Sequence, residues 1–340
     1  MTAPSLVEQS VLLEPDAVRI LDRRVFPFQR TWVTCRTYEE VAVAIEQMVT
    51  QSLGPLHAAA AAMVLAARQS ARPEFLAAAG ARLIATRPTN NHIRDVITEL
   101  LAGRHPDAAS MEQAAAALIE RHHAGWRRLG TAAAALLHDG DTILTHCWAE
   151  TYLTETVAAA QRDGKRIRAL CTETRPYLQG ARLTAESLAE MGVPTELITD
   201  GMAGHFLSGG EVSAFLSGAD RVTMDGHVVN KVGTLPIAVC AHAFGVPFYP
   251  LVSGPDPQSP TAASVPIEER DGDEVLHCLG TRTASTLVTG RYPAFDVTPP
   301  RFVSAVVTDR GVFAPYDLAS YVDSSARNAD AARQASSKLT

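Results

Sequence analysis

Cys147 is the residue whose type and setting point most directly to chemistry. It closes the stretch TILTHC at 142–147, where an apolar pair leads through Thr145 and His146 to a thiol, and Trp148 and Glu150 follow it. The thiolate is the base or nucleophile, and a free cysteine ionises with a pKa of about 8.5. A modest depression by a neighbouring cation or a helix N-terminus makes such a thiol a usable base near neutral pH. Taken alone, the same residue also reads as a cysteine packed at a strand end. His146 reads as structural. Asp220, in GADR, reads by itself as a turn or helix cap. The pair His122 and His123 lies in a helical stretch with Trp126 and lacks a third ligand at suitable spacing, so no metal is assigned.

The elements that position Cys147 follow from the texture of the chain. A short strand-rich lead, AVRILDRRVFPFQRTWVTC, gives way to alanine-rich helical segments. The first of these opens with Thr37 as N-cap and Glu40 three residues on, a capping-box spacing. From 139 onward, apolar runs (TILTHC, RIRALCTE, PTELIT, ADRVTM, PFYPLV, VSAVVT) alternate with helix-like stretches, the signature of a parallel sheet covered by helices. The fold class is therefore α/β: a mainly helical N-terminal domain (1–125), a Rossmann-like parallel-sheet C-terminal domain (126–325), and a tail (326–340) expected to be disordered. Ligands of such sheets sit at the carboxyl ends of the strands, and TILTH ends at Cys147. The loop SGPDPQSPTAAS is too rich in proline and serine to read as core.

Composition excludes several classes of partner. With 340 residues and 46% hydrophobic content the chain buries a substantial core, and its net charge of −7 without a dense basic cluster argues against nucleic acid and membrane surfaces. The start lacks a signal peptide's basic and apolar regions, and no window approaches the ~20 apolar residues of a membrane span. A cytoplasmic protein is expected. The five cysteines (Cys35, Cys147, Cys171, Cys240, Cys278) are odd in number, widely spaced and without a Cys-x-x-Cys pair, so free thiols are expected. No glycine-rich phosphate loop of the P-loop or dinucleotide type is present, and no nicotinamide, flavin or other cofactor is assigned.

Several longer segments, GDTILTHC, ETRPYLQGARLTAESLAEMGVPTELITDGMAG, GADRVTMDGHVVNKVGT, VPIEERDGDEV and PAFDVTPP, together resemble the methylthioribose-1-phosphate isomerase family from about Ile20 to Tyr316. That family is similar in fold to ribose-1,5-bisphosphate isomerase and to the regulatory subunits of the translation-initiation guanine-nucleotide exchange factor. VPIEERDGDEV and RTYEEVAVAIEQMV favour the methylthioribose-phosphate branch.

The resemblance implies an aldose–ketose isomerase acting on a 5-substituted ribose 1-phosphate, with a place in methionine salvage. By the family's pattern Asp220 is the acid at the ring oxygen, a carboxyl whose raised pKa keeps its proton, and Cys147 moves the hydrogen between C2 and C1. Proton and hydride transfer both remain open. Arg87, Gln179, Asn230 and Lys231 match the family's phosphate ligands. A small-molecule sugar phosphate is the expected partner, and a homodimer the expected assembly.

The chain also departs from the family. Gln51 stands where the family has a phosphate-binding arginine, with Ser52 and His57 replacing glycines. Trp148 and Glu150 replace a small polar stretch after the cysteine, and Asn90, Asn91 and His92 replace apolar residues after RPT. Trp148, Glu150, Asn91 and His92 are therefore candidate specificity residues for an altered sugar phosphate, and Arg94 and Arg175 are candidates to replace the missing cation. The alternative is a non-catalytic sugar-phosphate or nucleotide-binding regulatory protein of the exchange-factor type. Retention of both Cys147 and Asp220 speaks against it.

Overall fold

The computed structural model describes residues 3–87, 91–105 and 107–323. Asn90 and the tail from 326 fall outside the described residues. The chain divides after Ala124 into two compact units.

The N-terminal unit opens with a single helical turn, α1 (Ser5–Glu8), and an antiparallel sheet of β1 (Val11–Leu13), β2 (Val18–Leu21) and β3 (Trp32–Cys35), with β2 central. Helices α2 (Tyr38–Glu46), α3 (Gly54–Gln69), α4 (Pro73–Ala85), α5 (Asn91–Ala102) and α6 (Ala108–Ala134) follow. Thr37 caps α2 by accepting the Glu40 N–H at 3.1 Å. The Glu40 carboxylate accepts from Arg36 N at 2.6 Å, one residue ahead of the cap that a reciprocal box would use. Helix α3 is buried on nearly every side, and its alanines let neighbouring helices pack close. Gly80 serves the same end, since a Cβ there would lie 2.7 Å from Ile97 Cγ2. Helix α6 runs through the division into the second unit.

In chain order the C-terminal unit contributes β4 (Thr142–His146), α7 (Thr151–Arg162), β5 (Arg168–Thr172), α8 (Ala185–Glu190), β6 (Thr195–Ile198), α9 (Ala203–Ser208) and β7 (Ala214–Gly218). It continues with β8 (Arg221–Val222), β9 (Val228–Lys231), α10 (Thr234–Ala243) and β10 (Phe248–Leu251). Short ribbons follow, β11 (Glu269–Arg270), β12 (His277–Cys278), β13 (Thr281–Arg282) and β14 (Tyr292–Pro293), and then β15 (Phe295–Thr298), β16 (Val306–Thr308) and β17 (Gly311–Phe313).

Seven strands form the main sheet in the order β17-β16-β10-β7-β4-β5-β6. All are parallel except β17, which pairs antiparallel with β16. From β4 the chain lays β5 and β6 to one side, then returns to lay β7, β10 and β16 to the other. The strand order reverses between β4 and β7, the place where such sheets open a ligand crevice. Phe215 and Phe248 stack on adjacent strands at 4.4 Å and pack with Leu144, Ile237, Ala238 and Ala241 into the core.

Two expectations are corrected. The strand beside β4 is Ala214–Gly218, AFLSG, while ADRVTM, expected among the strands of the sheet, holds only the two-residue β8 paired with β9. A strand buried on both faces needs an apolar run more than strand-favouring residues, so AFLSG forms the strand although it ends in Ser and Gly, and the β-branched pair Val222 and Thr223 does not extend one. The loop SGPDPQSPTAAS is also not wholly peripheral. Its Ser259 is buried, and its Asp256 pairs with Arg221 at 3.3 Å.

Candidate active site

Cys147 and Asp220 leave the sheet side by side. His146 pairs with Ser217 on the last shared rung of β4 and β7, and Cys147 follows the first strand as Asp220 follows the second. Both therefore stand at the switch point. Cys147 holds a left-handed backbone, φ +66°, and Glu150 another at +47°. Such geometry costs a non-glycine residue roughly 1 kcal/mol or more and persists only where the surroundings impose it.

The surroundings that impose it lie in the loop after β5. Thr174 Oγ1 accepts the Cys147 N–H at 2.9 Å, and Thr184 Oγ1 donates to the Cys147 carbonyl at 2.5 Å. Thr174 is a buried β-branched residue at φ +61°, itself strained. The Asp200 carboxylate holds it, accepting from Thr174 N and Arg175 N at 2.7 Å each. Gly180 brings the next turn against this loop, where a Cβ would sit 1.8 Å from Thr172 O.

His146 is structural, as its bonds show. Its Nε2 faces the Val232 carbonyl at 3.0 Å and so carries the proton, which leaves Nδ1 to accept from Thr172 Oγ1 at 2.7 Å. Burial lowers its pKa, outweighing Asp200 nearby, and keeps the ring neutral.

The charges around the pair come from four segments. Burial pushes the Cys147 thiol up to about 11, while Lys231, the Trp148 N–H and Arg270 act in the opposite sense and Asp220 adds to the rise. The depression expected for a base is therefore absent, because desolvation outweighs the cations. Burial also raises Asp220, with Lys231, Arg270 and Arg221 opposing and Glu268 reinforcing. Asp220 nonetheless keeps solvent contact. Tyr152, on α7, is pushed up to about 12 by burial and by the negative charges of Glu150 and Asp220.

Lys231 is buried and anchored. Its Nζ donates to Tyr292 Oη at 3.2 Å and lies 5.3 Å from the Tyr292 ring centroid and 5.1 Å from that of Phe295. The adjacent Asn230 donates to Thr234 Oγ1 at 2.9 Å, at the start of α10. Asp296 holds that helix start by accepting from Gly233 N at 2.7 Å and Leu235 N at 3.1 Å, and burial raises its pKa to about 6. Gln179 is buried with no partner for Oε1 among the described residues, and the same is true of Trp148 Nε1, Thr151 Oγ1 and Arg175 Nη1. Buried polar atoms are ordinarily paired, so this concentration in the loops after β4 and β5 marks a surface built to meet polar groups. Glu150 is buried there too.

Arg87, Gln51, Asn91 and His92 belong to the N-terminal unit. Arg87 Nη2 donates to Ile45 O at 3.3 Å and contacts Met48 Sδ. Gln51 is buried, its carbonyl accepts from Arg23 Nη1 at 2.5 Å, and its Nε2 has no partner among the described residues. Asn91 and His92 are the half-buried first residues of α5. Arg94 is exposed.

Comparison with known proteins now bears on this arrangement. A model described as the initiation factor 2 subunit family matches residues 47–315. A methylthioribose-1-phosphate isomerase of Anaeromyxobacter sp. (strain K) is 40% identical over 309 residues, 87% of this chain and 91% of that protein. One from Thermotoga neapolitana is 37% identical over 320 residues, 88% of this chain and 93% of its own. The chain belongs to the methylthioribose-1-phosphate isomerase family. Among solved structures, 5-methylthioribose 1-phosphate isomerase from Pyrococcus horikoshii OT3 superposes with a TM-score of 0.83 at 31% identity, covering 93% of this chain and 96% of that one. The eIF-2B subunit delta from A. fulgidus gives 0.79 at 32%, covering 90% and 96%. As a member of the isomerase family the protein is an aldose–ketose isomerase, an intramolecular oxidoreductase.

For a member of this family, several residues around the pair carried no legible signal of their own. Thr174, Thr184, Asp200, Glu268, Arg270 and Tyr292 lie 27 to 145 positions from Cys147 or in ribbons of two residues. Five of them lie inside longer segments that carry the family resemblance, ETRPYLQGARLTAESLAEMGVPTELITDGMAG and VPIEERDGDEV, and Tyr292 lies just before a third, PAFDVTPP.

Proposed function

We propose that the protein converts a 5-substituted ribose 1-phosphate to the corresponding ribulose 1-phosphate, with methylthioribose 1-phosphate, the substrate its relatives are named for, as the compound against which its C5 preference is ranked. The observation that carries this reading is the emergence of Cys147 and Asp220 from the two neighbouring strands at the switch point, with Lys231 in electrostatic reach of both.

The anomeric carbon of such a substrate carries a phosphate ester, so the ring cannot open as a free hemiacetal does. Asp220, its proton affinity raised by desolvation of the carboxyl, donates to the ring oxygen as the C1–O bond breaks. The Cys147 sulfur takes the hydrogen from C2 as a proton and returns it at C1. The C2 hydroxyl proton passes back to Asp220 as the carbonyl forms, so every atom is accounted for and the enzyme returns to its starting state. Lys231, Asn230 and Gln179 serve the phosphate. Lys231 supplies the charge, and it is held in place by Tyr292 before substrate arrives.

The unpaired Trp148 Nε1 and the buried Glu150 favour a hydrogen-bonding group at C5 in place of a thioether. Ranking kcat/KM for methylthioribose 1-phosphate, 5-deoxyribose 1-phosphate and ribose 1,5-bisphosphate by phosphorus NMR tests both parts. No ketose from any of them would sink the isomerase reading, and methylthioribose 1-phosphate ranking first would sink the altered specificity. Loss of catalysis along the line of the exchange-factor subunits is disfavoured by the retained acid and thiol. The expected homodimer is supported by Met202, Val239 and Phe244, exposed at or beside α9 and α10, and light scattering tests it.

A further inference from the structure

Between β10 and β15 the chain makes a long excursion from the sheet and returns to it. The excursion is pinned to the loops of the site. Arg221, next to Asp220, pairs with Asp256 at 3.3 Å and donates to Ser259 Oγ at 2.9 Å. Arg175 Nη2 donates to the Val275 carbonyl at 3.0 Å. Ala294 N donates to Glu268 O at 2.8 Å and so closes the β11–β14 ribbon, on which Arg270 stands opposite Tyr292.

Arg270 is oriented on two sides. Its Nε donates to Glu268 Oε1 at 2.8 Å, and its guanidinium carbon lies 5.9 Å from the Tyr292 ring centroid. The same buried ring receives the Lys231 ammonium, which is bonded to its hydroxyl. Two cations thus share one aromatic ring, and one of them carries an acidic partner. Glu268 offsets the cost of burying the Arg270 cation, since a buried charge left unpaired is strongly unfavourable.

The charges that bear on the Cys147–Asp220 pair are those of Lys231 on β9 and Arg270 at the ribbon for both members, and of Glu268 and Arg221 for Asp220, while Tyr152 on α7 responds to Asp220 in turn. We propose that Arg270 is a positioning residue for the pair: through Tyr292 it fixes Lys231, and against Glu268 it sets the charge around the thiol and the carboxyl. This rests on the isomerase reading for its consequence in turnover but not for its electrostatics. The fields of Lys231 and Arg270 bear on both members of the pair, and Glu268 bears on Asp220 in the opposite sense.

The test uses Arg270→Gln, Arg270→Lys, Glu268→Gln and Tyr292→Phe in the full chain, with folding checked by circular dichroism. The first readout is independent of turnover: the rate of iodoacetamide alkylation at Cys147 against pH, resolved by peptide mass spectrometry from the other four cysteines. Arg270→Gln moves this curve to higher pH, slowing alkylation at fixed pH about three- to tenfold, as a shift of half to one unit requires. Arg270→Lys restores most of the loss. The second readout is the pH profile of kcat/KM, in which Glu268→Gln moves the limit belonging to Asp220 to lower pH and Arg270→Gln moves it to higher pH. Tyr292→Phe raises KM by freeing Lys231.

Folded variants whose alkylation curves stay at the wild-type position would overturn the proposal, as would Glu268→Gln and Arg270→Gln shifting the Asp220 limit the same way. A wild type without turnover would remove the isomerase reading, and the alkylation curves would still decide the role of Arg270.

Discussion

How hydrogen moves between C2 and C1 can be read from the alkaline side of the pH profile. Burial lifts the Cys147 thiol to about 11. At pH 8 roughly one thiol in a thousand is ionised, and forming the thiolate costs about 4 kcal/mol. A proton route needs Asp220 protonated and Cys147 ionised. Of the two the carboxyl is the stronger acid, so above its pKa the loss of protonated Asp220 and the gain of thiolate cancel. The profile is then flat until it reaches the thiol's pKa and falls beyond it. A hydride route needs only the protonated acid, and kcat/KM falls tenfold per unit once the pH passes the Asp220 pKa. The substrate phosphate titrates near pH 6, so the informative range is about pH 7 to 10. Initial rates of ketose 1-phosphate formation by phosphorus NMR, each checked for reversibility on return to neutral pH, supply the profile. A plateau between the Asp220 limit and that of the thiol agrees with the proton shuttle assigned to Cys147, and a tenfold fall per unit as soon as the Asp220 limit is passed would refute it.

Three other outcomes follow from the same geometry. Thr174→Val keeps the shape of the side chain but removes the oxygen that accepts the Cys147 N–H, leaving a buried donor unpaired at a cost of about 1–3 kcal/mol; kcat falls about tenfold or more in steady-state assays while KM changes little. Gly233→Ala places a Cβ 2.8 Å from the His146 ring at a backbone φ of +108°, and a thermal melt shows a loss of about 2 kcal/mol or more. His146 is neutral in the fold with its pKa below the ordinary 6.5, so its contribution to stability is complete above that pH and is lost as the pH falls below it. Urea unfolding of His146→Gln accordingly depends less steeply on pH between about 6.5 and 5 than the wild type does.

The position of the thiol was legible because an apolar run of strand length ends at Cys147, and the ends of parallel strands are where ligands bind. The partner strand was harder to place. AFLSG is held by burial on both faces, and nothing in its last two residues announces a strand, so the reversal between β4 and β7 became evident only with the strand order. Proton affinity was the least legible property. Lys231 lies 84 positions from Cys147 in sequence, and its pull on the thiol is weaker than the desolvation that only the folded chain imposes. Glu268, Arg270 and Tyr292 were hidden for another reason: their relation depends on the pairing of two ribbons of two residues each, too short to carry a pattern.

The most direct test of the central claim follows methylthioribose 1-phosphate by phosphorus and proton NMR with the wild type, Asp220→Asn and Cys147→Ala at equal concentrations of folded protein. The account predicts methylthioribulose 1-phosphate as product with the wild type and a loss of at least about a thousandfold in kcat with either variant. Turnover by either variant at near the wild-type rate would contradict the assignment of chemistry to the Cys147–Asp220 pair.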